Sequence, residues 1–79
     1  MLRLRIVSPE RVMFQGEVES VLVPGTLGPF EILNDHAPII STLEAGRVEY
    51  GMKDAKKQFD IQGGFVEVKR NEVSLCVEI

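Results

Sequence analysis

The chain has 79 residues and a formal net charge of −3, with acidic and basic side chains interleaved. That length makes one domain at most, and the lack of a basic patch or tail argues against a nucleic-acid partner. One cysteine excludes an internal disulfide, and one histidine beside it leaves no Cys/His set for a structural zinc.

Period-two alternation dominates the chain and predicts strands. Leu2, Leu4 and Ile6 alternate with Arg3 and Arg5. This N-terminal stretch has no continuous apolar run of the kind a signal peptide carries. Val18 lies between Glu17 and Glu19, and the pattern then fills in through Val21-Leu22-Val23. Fifteen residues from Pro24 to Pro38 hold three prolines, two glycines and the only histidine, a density of backbone restriction suited to a fixed surface shape. The β-branched Ile39, Ile40 and Thr42 favour a strand over a single helical turn between Ala37 and Glu44, and Ile39 and Ile40 read as core. Val48, Tyr50 and Met52 alternate with Arg47, Glu49 and Gly51. Lys53 to Lys57 reads as a hairpin tip, followed by Phe59 and Ile61. Gly63-Gly64 predicts a bulge or a corner where the sheet turns over. Val66 and Val68 flank Glu67, Arg70 to Glu72 reads as a second tip, and Val73, Leu75 and Val77 close the pattern. No stretch of about twelve residues shows helical apolar spacing, and no apolar run approaches the roughly 18–20 residues that span a bilayer. The fold expected is all-β: a small flattened β-sandwich or barrel of about ten short strands in two sheets, one domain over residues 1–79, without a C-terminal helical domain.

Chemistry is sparse. His36 is the only candidate for histidine catalysis, and nothing near it marks a nucleophile with an oxyanion hole, so it reads as a loop-fixing or contact residue. Cys76 sits on an alternating strand with no positive neighbour to lower its pKa, and reads as a small half-buried side chain. Gly25-Thr26-Leu27-Gly28 lacks the lysine, hydroxyl residue and helix of a phosphate-binding loop. Lys53 stands where lipoyl and biotinyl carrier domains present a modified lysine. Its neighbours Met52 and Asp54 do not match those patterns, so a solvated hairpin is the simpler reading. A free-standing binding or lipoyl-like carrier module is the alternative function. No catalytic residue, metal ligand or cofactor is assigned.

Several blocks, in order, resemble the N-terminal β-sandwich domain of the epsilon subunit of F-type ATP synthases. They are Leu4-Arg5-Ile6-Val7-Ser8-Pro9-Glu10, then Phe14-Gln15-Gly16-Glu17-Val18, which is similar to the family's F-x-G-x-V. The central block, Pro24-Gly25 through Gly28-Pro29-Phe30-Glu31-Ile32-Leu33-Asn34-Asp35-His36-Ala37-Pro38, resembles P-G-x-x-G-x-[FL]-x-[IV]-L-x-x-H-A-P. Leu43-Glu44-Ala45-Gly46 and Gly63-Gly64-Phe65-Val66-Glu67-Val68 follow. Pro29 stands where the family often has an acidic or small residue, and Asn34-Asp35 replaces a commoner Pro-Gly. Both changes keep turn-forming residues. The chain stops before the two C-terminal helices of many members, and reads either as a naturally short form or as a truncated one.

The resemblance implies a non-catalytic central-stalk subunit with two partners, the gamma subunit and the c-ring of the membrane sector. It implies no small-molecule substrate and no direct membrane insertion. The location implied is peripheral, on the cytoplasmic face of a bacterial inner membrane. By the same resemblance, a turn of Gly28, Pro29, Phe30 and Glu31 would face the c-ring. The loop Asn34, Asp35, His36, Ala37 and Pro38 would help fix the domain against gamma and the ring.

Overall fold

Side chains that alternate along an extended backbone stack apolar groups on one face. The computed structural model describes residues 1–79 and contains nine strands and no helix. They are β1 (Leu2–Val7), β2 (Val12–Val18), β3 (Ser20–Gly25), β4 (Gly28–Leu33), β5 (Ile39–Leu43), β6 (Gly46–Met52), β7 (Ala55–Ile61), β8 (Gly63–Lys69) and β9 (Glu72–Glu78). Hydrogen-bonded neighbours run β2-β1-β9-β8-β5-β3-β6-β7, with β4 on the other edge of β3. Every pairing is antiparallel except β1 with β9.

The all-β expectation holds, with one strand fewer than the ten expected and a difference in connection. The two halves are not separate sheets. One bridge, Gly25 with Leu43, joins β3 to β5 and makes the ladder continuous, so a single sheet curls over into two layers. β2, β1, β9, β8 and β5 form one layer, and β4, β3, β6 and β7 form the other. Where the far ends meet, the Phe14 ring of β2 lies 4.7 Å from the Tyr50 ring of β6, and Phe59 of β7 stands edge-on to Tyr50 at 6.2 Å.

Fifteen buried apolar residues fill the space between the layers. β1 contributes Leu2, Leu4 and Ile6, while Arg3 and Arg5 point to solvent. β9 answers with Val73, Leu75 and Val77, in register with β1 through Leu4–Val73 and Ile6–Leu75. Ser20 is the only buried polar residue, so almost no polar group is desolvated in the core.

The chain crosses between layers four times, once through the longer segment between β4 and β5 and three times at short breaks. The alternation through Val18 and Val21 looks like one strand in the sequence but bends at Glu19, which separates β2 from β3. Glu44-Ala45 separates β5 from β6, and Gln62 separates β7 from β8 beside the expected Gly63-Gly64 corner. The hairpin tips fall at Lys53-Asp54 and Arg70-Asn71, so Ala55 to Lys57 belong to β7 and not to the first tip. Ile39 and Ile40 are divided by the strand alternation. Ile39 packs against the core, whereas Ile40 faces out at 72% exposure and is not core.

Candidate functional site

The Pro24–Pro38 segment forms one side of the sandwich. β3 and β4 make a hairpin whose turn is Thr26-Leu27, with Gly25 opposite Gly28, Pro24 opposite Pro29, Val23 opposite Phe30 and Leu22 opposite Glu31. The turn predicted over Gly28 to Glu31 therefore lies one step earlier, and those four residues open strand β4 instead. The glycines and prolines that suggested a turn bracket it. Gly28 has φ of 128°, a value L side chains rarely adopt, which explains glycine at that turn exit. Pro24 and Pro29 face each other across the hairpin, and neither has an N–H to give. They fit because β4 is an edge strand and a ladder has steps that exchange no hydrogen bonds.

Strand geometry then sorts the four residues. Pro29 and Glu31 are exposed, on the outward row with Leu33. Phe30 points inward and packs against the core beside the fully buried Ile32. Glu31 makes no ion pair within the chain, whose single salt bridge joins Arg3 and Glu72 at 3.5 Å. At the tip, Leu27 is completely exposed, an apolar side chain with nothing of its own chain to cover it. Three contacts hold the base of this hairpin, one of them from the Thr26 N–H to the Thr42 carbonyl at 3.1 Å. The Thr26 hydroxyl meets that of Thr42 at 2.9 Å, and the Glu44 N–H donates to the Pro24 carbonyl at 2.9 Å.

The five residues from Asn34 to Pro38 form a loop, as expected, between β4 and β5. The His36 N–H donates to the Leu33 carbonyl at 3.1 Å and closes a turn. The His36 ring nitrogen Nδ1 lies 2.7 Å from the Ala37 carbonyl. A carbonyl can only accept, so Nδ1 carries the hydrogen and Nε2 is left for another partner. The half-buried imidazole sits 6.4 Å from the Phe30 ring, so hairpin and loop share one surface.

Asn71 belongs to this surface although sequence reasoning did not include it. The Asp35 N–H donates to Asn71 Oδ1 at 2.6 Å, and Asn71 Nδ2 donates back to Asp35 Oδ1 at 3.3 Å. The available signal was slight: Arg70-Asn71 reads as a turn, and asparagine tolerates the left-handed backbone it adopts, φ 62°. Its partner, 36 residues away, leaves no local mark. Lys53, the other singled-out side chain, is exposed at the β6–β7 tip, where its N–H donates to Glu19 Oε1 at 3.3 Å.

Comparison with known proteins agrees with this architecture. The family described as "ATP synthase, Delta/Epsilon chain, beta-sandwich domain" matches residues 1–79. The ATP synthase epsilon chain of Leptospira interrogans is 40% identical over 77 residues, covering 98% of this chain and 61% of that protein. The epsilon chain of Chlorobium limicola is 42% identical over 77 residues, covering 96% of this chain and 88% of that one. This chain thus spans about three-fifths of some relatives and nearly all of others. A subunit of the Euglena gracilis mitochondrial ATP synthase, solved in an assembly with the c-ring, superposes with a TM-score of 0.89 at 22% identity. The match covers 96% of this chain and 49% of that subunit, and shows a shared fold. The chain belongs to the family of ATP synthase delta/epsilon chains, whose β-sandwich domain it forms.

Proposed function

We propose that this domain works as a non-catalytic part of the rotor of a proton-translocating ATP synthase, bound to the gamma subunit and resting on the c-ring. The observation that carries this reading is the family match over residues 1–79. The domain's place is then peripheral, on the cytoplasmic face of a bacterial membrane, as the bacterial relatives suggest.

The mechanics follow from the fold. A rotor part does no chemistry; it must pass torque without shearing. A sheet curled on itself resists shear because strands can slide only by breaking ladder bonds together, and 42 of the 49 backbone hydrogen bonds lie within the strands. Attachment falls to the Pro24–Pro38 side. Glu31 is outward, exposed and unpaired, and suits a charge-assisted hydrogen bond from a basic residue of a c-ring loop. His36 offers Nε2 from a loop tied to the body of the domain.

Affinity capture of the tagged chain from detergent-solubilised native membranes tests this. Recovery of gamma, the catalytic subunits and the c-ring supports the rotor reading. Recovery with an acyl-transfer complex, and a mass increase on Lys53, would replace it with a carrier module. Glu31→Lys tests the ring contact within it. The reversed charge should weaken retention on the ring and lower ATP-driven proton pumping; unchanged pumping removes Glu31 from the contact.

A further inference from the structure

We propose that Asn71 is a positioning residue that locks the Asn34–Pro38 loop into the conformation its partner meets. The proposal deepens the rotor reading and rests on it for the identity of that partner. β4 pairs only with β3, and β5 pairs with β8 and touches β3 at one bridge, so no ladder spans the loop that joins them. Within the loop, the only hydrogen bonds run from His36 to Leu33, from His36 to Ala37 and from Asn34 Nδ2 to Asp35 Oδ2. Apart from the bond to the adjoining Leu33, its hydrogen bonds to the rest of the chain all go to the Asn71 side chain.

That side chain is itself held. Asn71 is half-buried, and its carbonyl accepts the Arg3 N–H at 2.8 Å, which ties the β8–β9 turn to the start of β1. Asp35 has φ of 64°, a left-handed conformation that non-glycine residues avoid. From that conformation the Asp35 N–H and carboxylate both reach the Asn71 side chain. The paired bonds offset its strain and thereby set the direction in which His36 leaves the turn. Asparagine suits the task because it supplies an acceptor and a donor from one planar group. Aspartate would lose the donor and set two carboxylates face to face.

The test compares the parent chain with Asn71→Gly. Glycine accepts φ 62° at no steric cost, so the turn survives while the side chain is removed. Amide hydrogen exchange on the free chain reads the latch, with Leu75 as the control for the fold. The purified gamma subunit of the same synthase is then titrated against both forms. The expected result is an Asp35 amide that exchanges about tenfold faster, an unchanged Leu75 amide, and gamma binding weakened about tenfold, the scale of one or two net hydrogen bonds. Unchanged Asp35 exchange overturns the latch. Faster exchange with unchanged gamma binding overturns its positioning role. A parent chain that fails to bind gamma removes the rotor reading, and the exchange arm still decides the latch.

Discussion

The Gly63-Gly64 corner offers a pair of substitutions whose outcomes should differ sharply. Gly64 has φ of 146°, and a Cβ built on it would run into the Cys76 carbonyl oxygen and lie 2.9 Å from the Val77 Cα. Both obstacles are backbone of β9, which is fixed between β8 and β1 and cannot yield like a side chain. Gly63, one residue earlier, meets only the Leu43 carbonyl oxygen, at an ordinary 3.6 Å. A strained φ alone costs about 1–3 kcal/mol, and displacing β9 adds to it, so Gly64→Ala should lose roughly 3 kcal/mol or more. At about 0.05–0.15 kcal/mol per residue, a chain of 79 residues has only about 4–12 kcal/mol in hand. With about 4–8 °C per kcal/mol for a domain this size, the midpoint should fall by at least about 12 °C. Gly63→Ala should stay within about 1 kcal/mol of the parent, on the stabilising side if the unfolded chain loses freedom. Thermal unfolding followed by circular dichroism reads both. A Gly64→Ala midpoint within about 4 °C of the parent refutes the close-approach argument. So does a Gly63→Ala drop as large as that of Gly64→Ala.

Three further outcomes are expected. Phe14→Leu and Tyr50→Leu, singly and together, should give a coupling of about 0.5–1.5 kcal/mol in urea unfolding, because their rings join the far ends of the two layers; additive losses would show that the contact does not hold the layers. Breaking the Arg3–Glu72 pair should change stability by less than about 0.5 kcal/mol, since its side chains are 73% and 63% exposed. A larger coupling in a double-mutant cycle would contradict that ranking. Leu27→Ser at the exposed hairpin tip should leave the melting midpoint within a few degrees, as no packing is lost; a clear drop would mean the tip is packed.

Much of the fold was legible because its signals are local. A strand puts residues i and i+2 on one face, so Leu2-Leu4-Ile6 and Val73-Leu75-Val77 announce both the element and the side that will be buried. Gly63-Gly64 announced a corner for the same reason, since backbone freedom belongs to the residues themselves. The central block from Pro24 to Pro38 carried the family likeness residue by residue. Where local reading went astray, pairing overrode it. Gly28-Pro29 looks like a turn until β3 draws it into a ladder, and Ile40 looks like core until alternation turns it outward.

The sequence alone thus determined the all-β character of the fold and the family to which the chain belongs. The tertiary structure decided which strands are neighbours, including the parallel contact between the first and last, and the bridge that makes two layers one sheet. It also decided how the candidate loop is held. Asp35 and Asn71 lie 36 residues apart, and each reads only as a turn residue in isolation. Side-chain periodicity is set by neighbours along the chain, but a hydrogen bond between two turns exists only once the sheets between them have folded and brought the turns together.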